Sequence, residues 1–150
     1  MINYKLDLRG FDSLFLDIER VEKIVQGDLL INAEDIKDRM KQRISTGKDM
    51  QGDTVSTFSK ETIGRYSKRH GLARQRASRQ TGVVDFQFTG ELFENIKSDE
   101  QGTFATVEIQ GTDNVKKANE NENYFETIIF TPSDPEIDEV IENYFNELFR

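Results

Sequence analysis

Apolar residues change their spacing several times along this chain of 150 residues. After an extended arm over residues 1–11, Leu14, Ile18, Val21 and Val25 recur at intervals of four, three and four, the signature of an amphipathic helix. Gly27 and Asp28 weaken or end it. Asn32 is placed to cap a second helix, with Asp35 in its first turn, Ile36, Met40 and Ile44 on one face, and Gly47 as its stop. The two segments read as one bent helix or as two.

Residues 46–57, TGKDMQGDTVST, carry turn chemistry around Gly47 and Gly52. A short helix is expected from Ser59 to Arg69, with Ile63 and Tyr66 turned inward and His70-Gly71 ending it. The following GLARQRASRQTG holds one large apolar residue in twelve, so residues 70–82 read as a mobile basic loop. Val84, Phe86 and Phe88 then alternate with Asp85 and Gln87 as a half-buried strand does. In the next element Thr89 suits a helix N-cap, Glu91 favours the first turn, and Leu92, Phe93 and Ile96 supply the buried side. Gly90 between them lets the chain swing from strand to helix.

Ala105, Val107 and Ile109 alternate as another strand after a turn at Gln101-Gly102. A polar loop, NVKKANENEN, leads to a strand over 124–130. At the C-terminus Ser133 and Glu136 form a capping box with Pro135 in the first turn. Ile137, Val140, Ile141, Tyr144, Phe145 and Leu148 give that last helix a broad apolar face. The order predicts one α+β domain over 1–150. It has a helical N-terminal third, a small antiparallel sheet with a short helix, and a C-terminal amphipathic helix packed on the sheet.

Composition narrows the function. Hydrophobic residues are 35% and charged residues 32%, a balance that supports a modest core and leaves work for neighbouring subunits. The absence of cysteine excludes disulfides and thiol chemistry. No run approaches a membrane span, and MINYKLDLRGFDS lacks a secretory apolar region, so a soluble protein made in the cytoplasm is expected.

The net charge of −8 is unevenly placed. Residues 60–79 hold Lys60, Arg65, Lys68, Arg69, Arg74, Arg76 and Arg79 against Glu61 alone, a local +6, which leaves −14 on the remainder. Such segregation presents one surface to an acidic partner.

Catalytic chemistry is hard to find. His70 is the only histidine and has no nucleophile near it in sequence. Asp85 lies between apolar residues, but on an alternating strand it faces water. The acidic group Asp134, Glu136, Asp138, Glu139 and Glu142 lacks the spacing of a calcium loop, and TGKD at 46–49 lacks that of a phosphate loop. No catalytic, cofactor or metal site is assigned. The basic stretch is the feature with binding content: Arg65, Lys68, Arg69, Arg74, Arg76 and Arg79 are candidates to contact another subunit or DNA. Tyr66 is the one aromatic residue among them, so the stacking platform of a single-strand binder is missing.

In order along residues 12–145, these pieces resemble the virion morphogenesis proteins of tailed bacteriophages, the tail completion, tail terminator and head–tail joining (neck) proteins. The likeness rests on the turn GKDMQGD, the segment TFSKETIGRYSKR with its basic continuation, and VVDFQFTGELFENI with Thr89, Gly90, Leu92 and Ile96. The closing IIFTPSDPEIDEVIENYF completes it. Thr57 stands where a proline is usual, NENENYF replaces a Tyr-x-x-x-His-x-x-Gly type segment, and Thr131-Pro132 replaces Gly-Leu.

The resemblance implies a non-enzymatic structural protein in the neck of a virion, closing with its own copies into a ring, by expectation a hexamer. Its further partners would be neighbouring neck, portal-side or tail-tube proteins, with DNA in the channel a further contact. The competing expectation is a small nucleic-acid-binding accessory protein acting through residues 60–79.

Overall fold

The computed structural model describes residue 28 and residues 31–87, 89–101 and 104–148. The expected arm over 1–11, the first amphipathic helix, Phe88 and Gly102 lie outside the described residues. Among those described, five helices and two two-stranded antiparallel sheets make a small α+β fold, about 51% helical and 13% strand.

The first helix, α1, is described over 31–45, and Asp28 is helical as well. Asn32 therefore sits inside the helix and is not its cap. Ala33, Met40 and Ile44, spaced on one side, are buried. The helix stops where expected: Gly47 takes φ +74 and its N–H donates to the Ile44 carbonyl.

The turn-rich segment after it is stitched down by the buried Asp49. Its carboxylate accepts the N–H groups of Gln51 and Asp53 at 3.0 and 2.9 Å and the Thr127 hydroxyl at 2.8 Å.

Residues 59–82 depart from expectation. The short helix predicted over Ser59–Arg69 is a hairpin, β1 (Thr62–Ile63) against β2 (Tyr66–Ser67), with Ile63 opposite Tyr66. Gly64 turns it at φ +62, the left-handed start that a two-residue hairpin loop favours. The Arg65 N–H donates to the Thr81 carbonyl at 2.9 Å, and a Cβ on Gly64 would lie 2.0 Å from that oxygen.

Where a basic loop was expected, helix α2 runs over Lys68–Arg76. Gly71 does not end a helix; it lies inside α2, buried, and a Cβ there would come within 2.5 Å of Ile63 Cβ. The glycine is what lets the helix lie against its own hairpin.

Val84 to Gln87 form no strand. Phe86 takes φ +56, which breaks the alternation on which the strand reading rested. Gly90, at φ +84, is the N-cap of the one-turn helix α3 (Glu91–Glu94), so the turn expected at Thr-Gly is present but the cap falls one residue later than Thr89. The Thr89 hydroxyl still accepts the Glu91 N–H, at 3.4 Å.

Leu92 is buried, and Ile96, fully buried, opens a strand rather than closing the helix. β3 (Ile96–Gln101) pairs with β4 (Phe104–Ile109), in register from Ile96 opposite Ile109 to Gln101 opposite Phe104.

The polar stretch read as a loop is helix α4 (Thr112–Phe125), and the strand expected over 124–130 is the end of that helix and an irregular segment that Glu126 opens at φ +52. Ala118 and Asn114 bury its inner side. The segment beyond is pinned by side chains instead of a sheet partner. The Glu122 carboxylate accepts the N–H groups of Ile129 and Phe130, both at 2.8 Å. Arg43 donates to the carbonyls of Ile129 at 3.2 Å and Thr131 at 2.7 Å.

Helix α5 (Asp134–Leu148) begins as expected, with the Ser133 N–H donating to Glu136 at 2.7 Å. Its polar ties run to α1: Arg43 to Glu136 at 2.8 Å, Arg39 to Glu139 at 2.7 Å and the Tyr144 hydroxyl to Asp28 at 3.0 Å. The core gathers Met40, Ile44, Val55, Tyr66, Val84, Ile96 and Ile129, with Phe86, Phe93, Phe125 and Phe130 packed against it.

Candidate functional site

The hairpin and α2 carry nearly all the local positive charge, and the structure sorts it into two groups. Arg74 points inward and is 1% exposed. Its Nε donates to the Gln80 carbonyl at 2.7 Å and its Nη2 pairs with Asp85 at 3.0 Å, while the guanidinium lies 4.6 Å from the centre of the Tyr66 ring. Arg74 is thus withdrawn from the contact surface on which the sequence reading placed it.

Asp85, expected to face water, is the hub of this cluster. It accepts hydrogen bonds from the Tyr66 hydroxyl at 3.1 Å, the Gln87 N–H at 3.1 Å and the Gln80 amide, while its own N–H donates to the Tyr66 oxygen. Burial pushes its carboxyl upward, but the donors from Gln80 and Gln87 and the Arg74 charge outweigh it and hold the group below the ordinary range. The Tyr66 hydroxyl is pushed up to about 12, burial being the main cause. His70, tilted against Tyr66 with ring centres 4.8 Å apart, is lowered by burial and by the Arg74 charge.

Outside this cluster Arg65, Lys68, Arg69, Arg76 and Arg79 are exposed. With the Lys68–Glu61 and Arg74–Asp85 ion pairs set aside, Lys60, Arg65, Arg69, Arg76 and Arg79 still show strong positive charge to solvent. Lys68 and Glu61 lie 2.8 Å apart, but both are open to water, so the pair adds little stability. A shallow groove of about 580 Å³ is lined by Lys60, Glu61, Lys68, Arg69 and Leu72, together with Ser59 and Ser67.

On the other side of Arg74 a cavity of about 420 Å³ opens between α2 and α4, walled by Tyr66, His70, Phe86, Tyr124 and Phe125. Thr57 and Tyr124 share a hydrogen bond of 2.6 Å across it, and the Tyr66 hydroxyl is bound to Asp85. Phe86 meets Phe125 and Phe130 edge to face, at 5.5 and 5.3 Å between ring centres. These contacts hold its left-handed backbone in place.

Thr89, Gly90, Leu92 and Ile96 serve folding: a turn, a cap and two buried anchors. Among the described residues no group of three or more His, Cys, Asp or Glu side chains is placed to hold a metal ion. None of the described helices is long and apolar enough to cross a membrane.

The sequence reading missed Asp85, Gln80 and the Tyr66 hydroxyl as a unit. The one available signal was an aspartate between Val84 and Phe86, with seven cations a few residues upstream. Comparison with protein-family models, with curated proteins and with solved structures gives no match to this chain.

Proposed function

We propose that this chain is a non-enzymatic structural subunit of the head–tail junction of a tailed bacteriophage, of the tail terminator or tail completion kind. Copies of it close edge to edge into a ring, sixfold by expectation, that joins tail to capsid in the virion and meets neighbouring neck, portal-side or tail-tube proteins. The observation that carries this reading is the sorting of charge on the folded chain. An exposed basic hairpin–helix unit sits on an otherwise acidic molecule, and large apolar side chains such as Ile31, Phe58, Ile141 and Phe145 stand on the surface.

A body with unlike surfaces makes head-to-tail contacts, and such contacts close into rings when the rotation permits. The ordered sequence resemblance supports the same reading.

The rival, a nucleic-acid-binding accessory protein, draws on the same cations but is weakened by two observations. Arg74 is already neutralised by Asp85, and Tyr66, the aromatic residue within the basic stretch, is 4% exposed and out of reach for stacking.

Replacing Arg69, Arg76 and Arg79 with serine separates the two. The structural reading expects loss of the oligomer in native mass spectrometry, with little DNA affinity to lose. A salt-dependent DNA affinity that collapses in the same variant would transfer the function to the rival.

A further inference from the structure

The ring reading leaves open which surfaces meet, and two exposed helix faces match each other. On α5, Asp138, Ile141, Glu142 and Phe145 follow the i, i+3, i+4, i+7 spacing that places four side chains on one stripe. All four are exposed, Ile141 at 43% and Phe145 at 51%, whereas Val140 on the far side is buried. α5 carries six carboxylates over its length and no cation.

On α2, Lys68, Leu72 and Arg76 follow at intervals of four and Arg69 lies beside them. Leu72 is 39% exposed at the edge of the shallow groove, while Gly71 and Arg74 face inward. One stripe is acidic with two large apolar side chains. The other is basic around one apolar side chain, with Lys68 paired to Glu61 at 2.8 Å and a groove alongside that Glu61 also lines.

We propose that the α5 stripe of one copy docks on the α2 stripe of the next, Ile141 and Phe145 covering Leu72 and the groove while Asp138 and Glu142 face Lys68, Arg69 and Arg76. The occupant is a second copy of this chain because the charge signs are complementary and each copy carries both halves. Within one chain α2 rests on its hairpin and α5 is tied to α1. A contact between two different surfaces is heterologous, so each copy offers one half at either end until the ring closes. The inference rests on the ring reading and specifies its interface.

The test uses the full chain and charge reversal, read by native mass spectrometry. Variant one carries Lys68→Glu and Arg69→Glu; variant two carries Asp138→Lys and Glu142→Lys. Each alone is expected to be monomeric, and circular dichroism is expected to match the unaltered chain, since all four positions are exposed. A chain with all four changes, in which the signs are exchanged, is expected to assemble again. Ile141→Ser with Phe145→Ser should weaken the contact roughly tenfold or more without changing any charge.

If the unaltered chain forms rings and both reversal variants form them equally well, this docking is overturned while the ring reading stands. Rings lost in both variants and absent from the fourfold variant would also overturn it, because the two stripes would then face different partners. An unaltered chain that stays monomeric at every concentration overturns docking and autonomous ring formation together.

Discussion

Arg74 and Arg76 are two residues apart on the same helix and have opposite fates, so they make a direct test of what the buried cluster contributes. Asp85→Ala leaves the Arg74 guanidinium buried without its counter-charge and should cost about 3 kcal/mol in urea unfolding. Arg76→Ser, on the exposed side, should stay within about 0.5 kcal/mol of the unaltered chain.

The cluster also fixes the direction of acid sensitivity. Asp85 has its folded value depressed, so its contribution is present above the unfolded carboxylate value and is lost as pH falls through the folded one. His70 is depressed too, by burial first and then by the Arg74 charge, with Asp85 acting in the opposite direction. The unfolded chain therefore takes up a proton first, and stability declines as pH drops below about 6.5. His70→Gln should flatten the melting temperature between pH 6.5 and the carboxylate range, leaving the steeper Asp85 loss below it.

Asp85 was legible as an oddity but not as a hub. Its partners come from Tyr66 and Arg74, on elements the periodicity had misassigned, and Phe86 at positive φ turns it away from the outward direction that alternation implies.

At the scale of elements, the chain was readable where local chemistry and packing agree. Gly47 ended α1, and the Ser133–Glu136 pair opened α5. Reading failed where two glycines serve close approach rather than termination. Gly64 makes the turn of β1–β2, and Gly71 accommodates Ile63 within α2, yet a glycine in a polar basic stretch looks like a helix stop followed by loop. Helix α4 failed for another reason. NVKKANENENYF has weak helix formers and few apolar positions, and the helix exists because Ala118, Asn114 and Phe125 are covered by the rest of the fold.

These assignments predict a paired result. Gly71→Ala should destabilise by about 1–3 kcal/mol through overpacking, despite alanine's better helix propensity. Adding Ile63→Gly, which removes the Cβ that clashes, should cost less than the sum of the two single changes. Two independent alterations would simply add; a positive interaction in the cycle places the helix on its hairpin.

At the scale of the molecule, α5 joins the fold and the proposed assembly. Its inner side buries Val140, Arg43 bridges its first turn to α1 and the 129–131 segment, and its outer side carries the acidic and apolar stripe. Deleting residues 133–150 should abolish soluble folding; a truncated chain that stays folded and monodisperse would reduce α5 to an appendage. Because the proposed contact is between opposite charges on exposed helices, added salt should shift the oligomer toward monomer.

Charge sorting was legible from the sequence alone. The withdrawal of Arg74 from the basic surface was not, since it depends on Asp85, eleven residues away, and on a hairpin that brings Tyr66 beneath it.

The measurement that tests the account most directly is native mass spectrometry of the purified full chain at low salt, with negative-stain images of the species found. A single closed oligomer, a hexamer by expectation, with a central hole and dissociation on adding salt, is the predicted result. A chain that remains monomeric across all concentrations while binding DNA in a salt-dependent way would contradict the account and make the basic surface a nucleic-acid site.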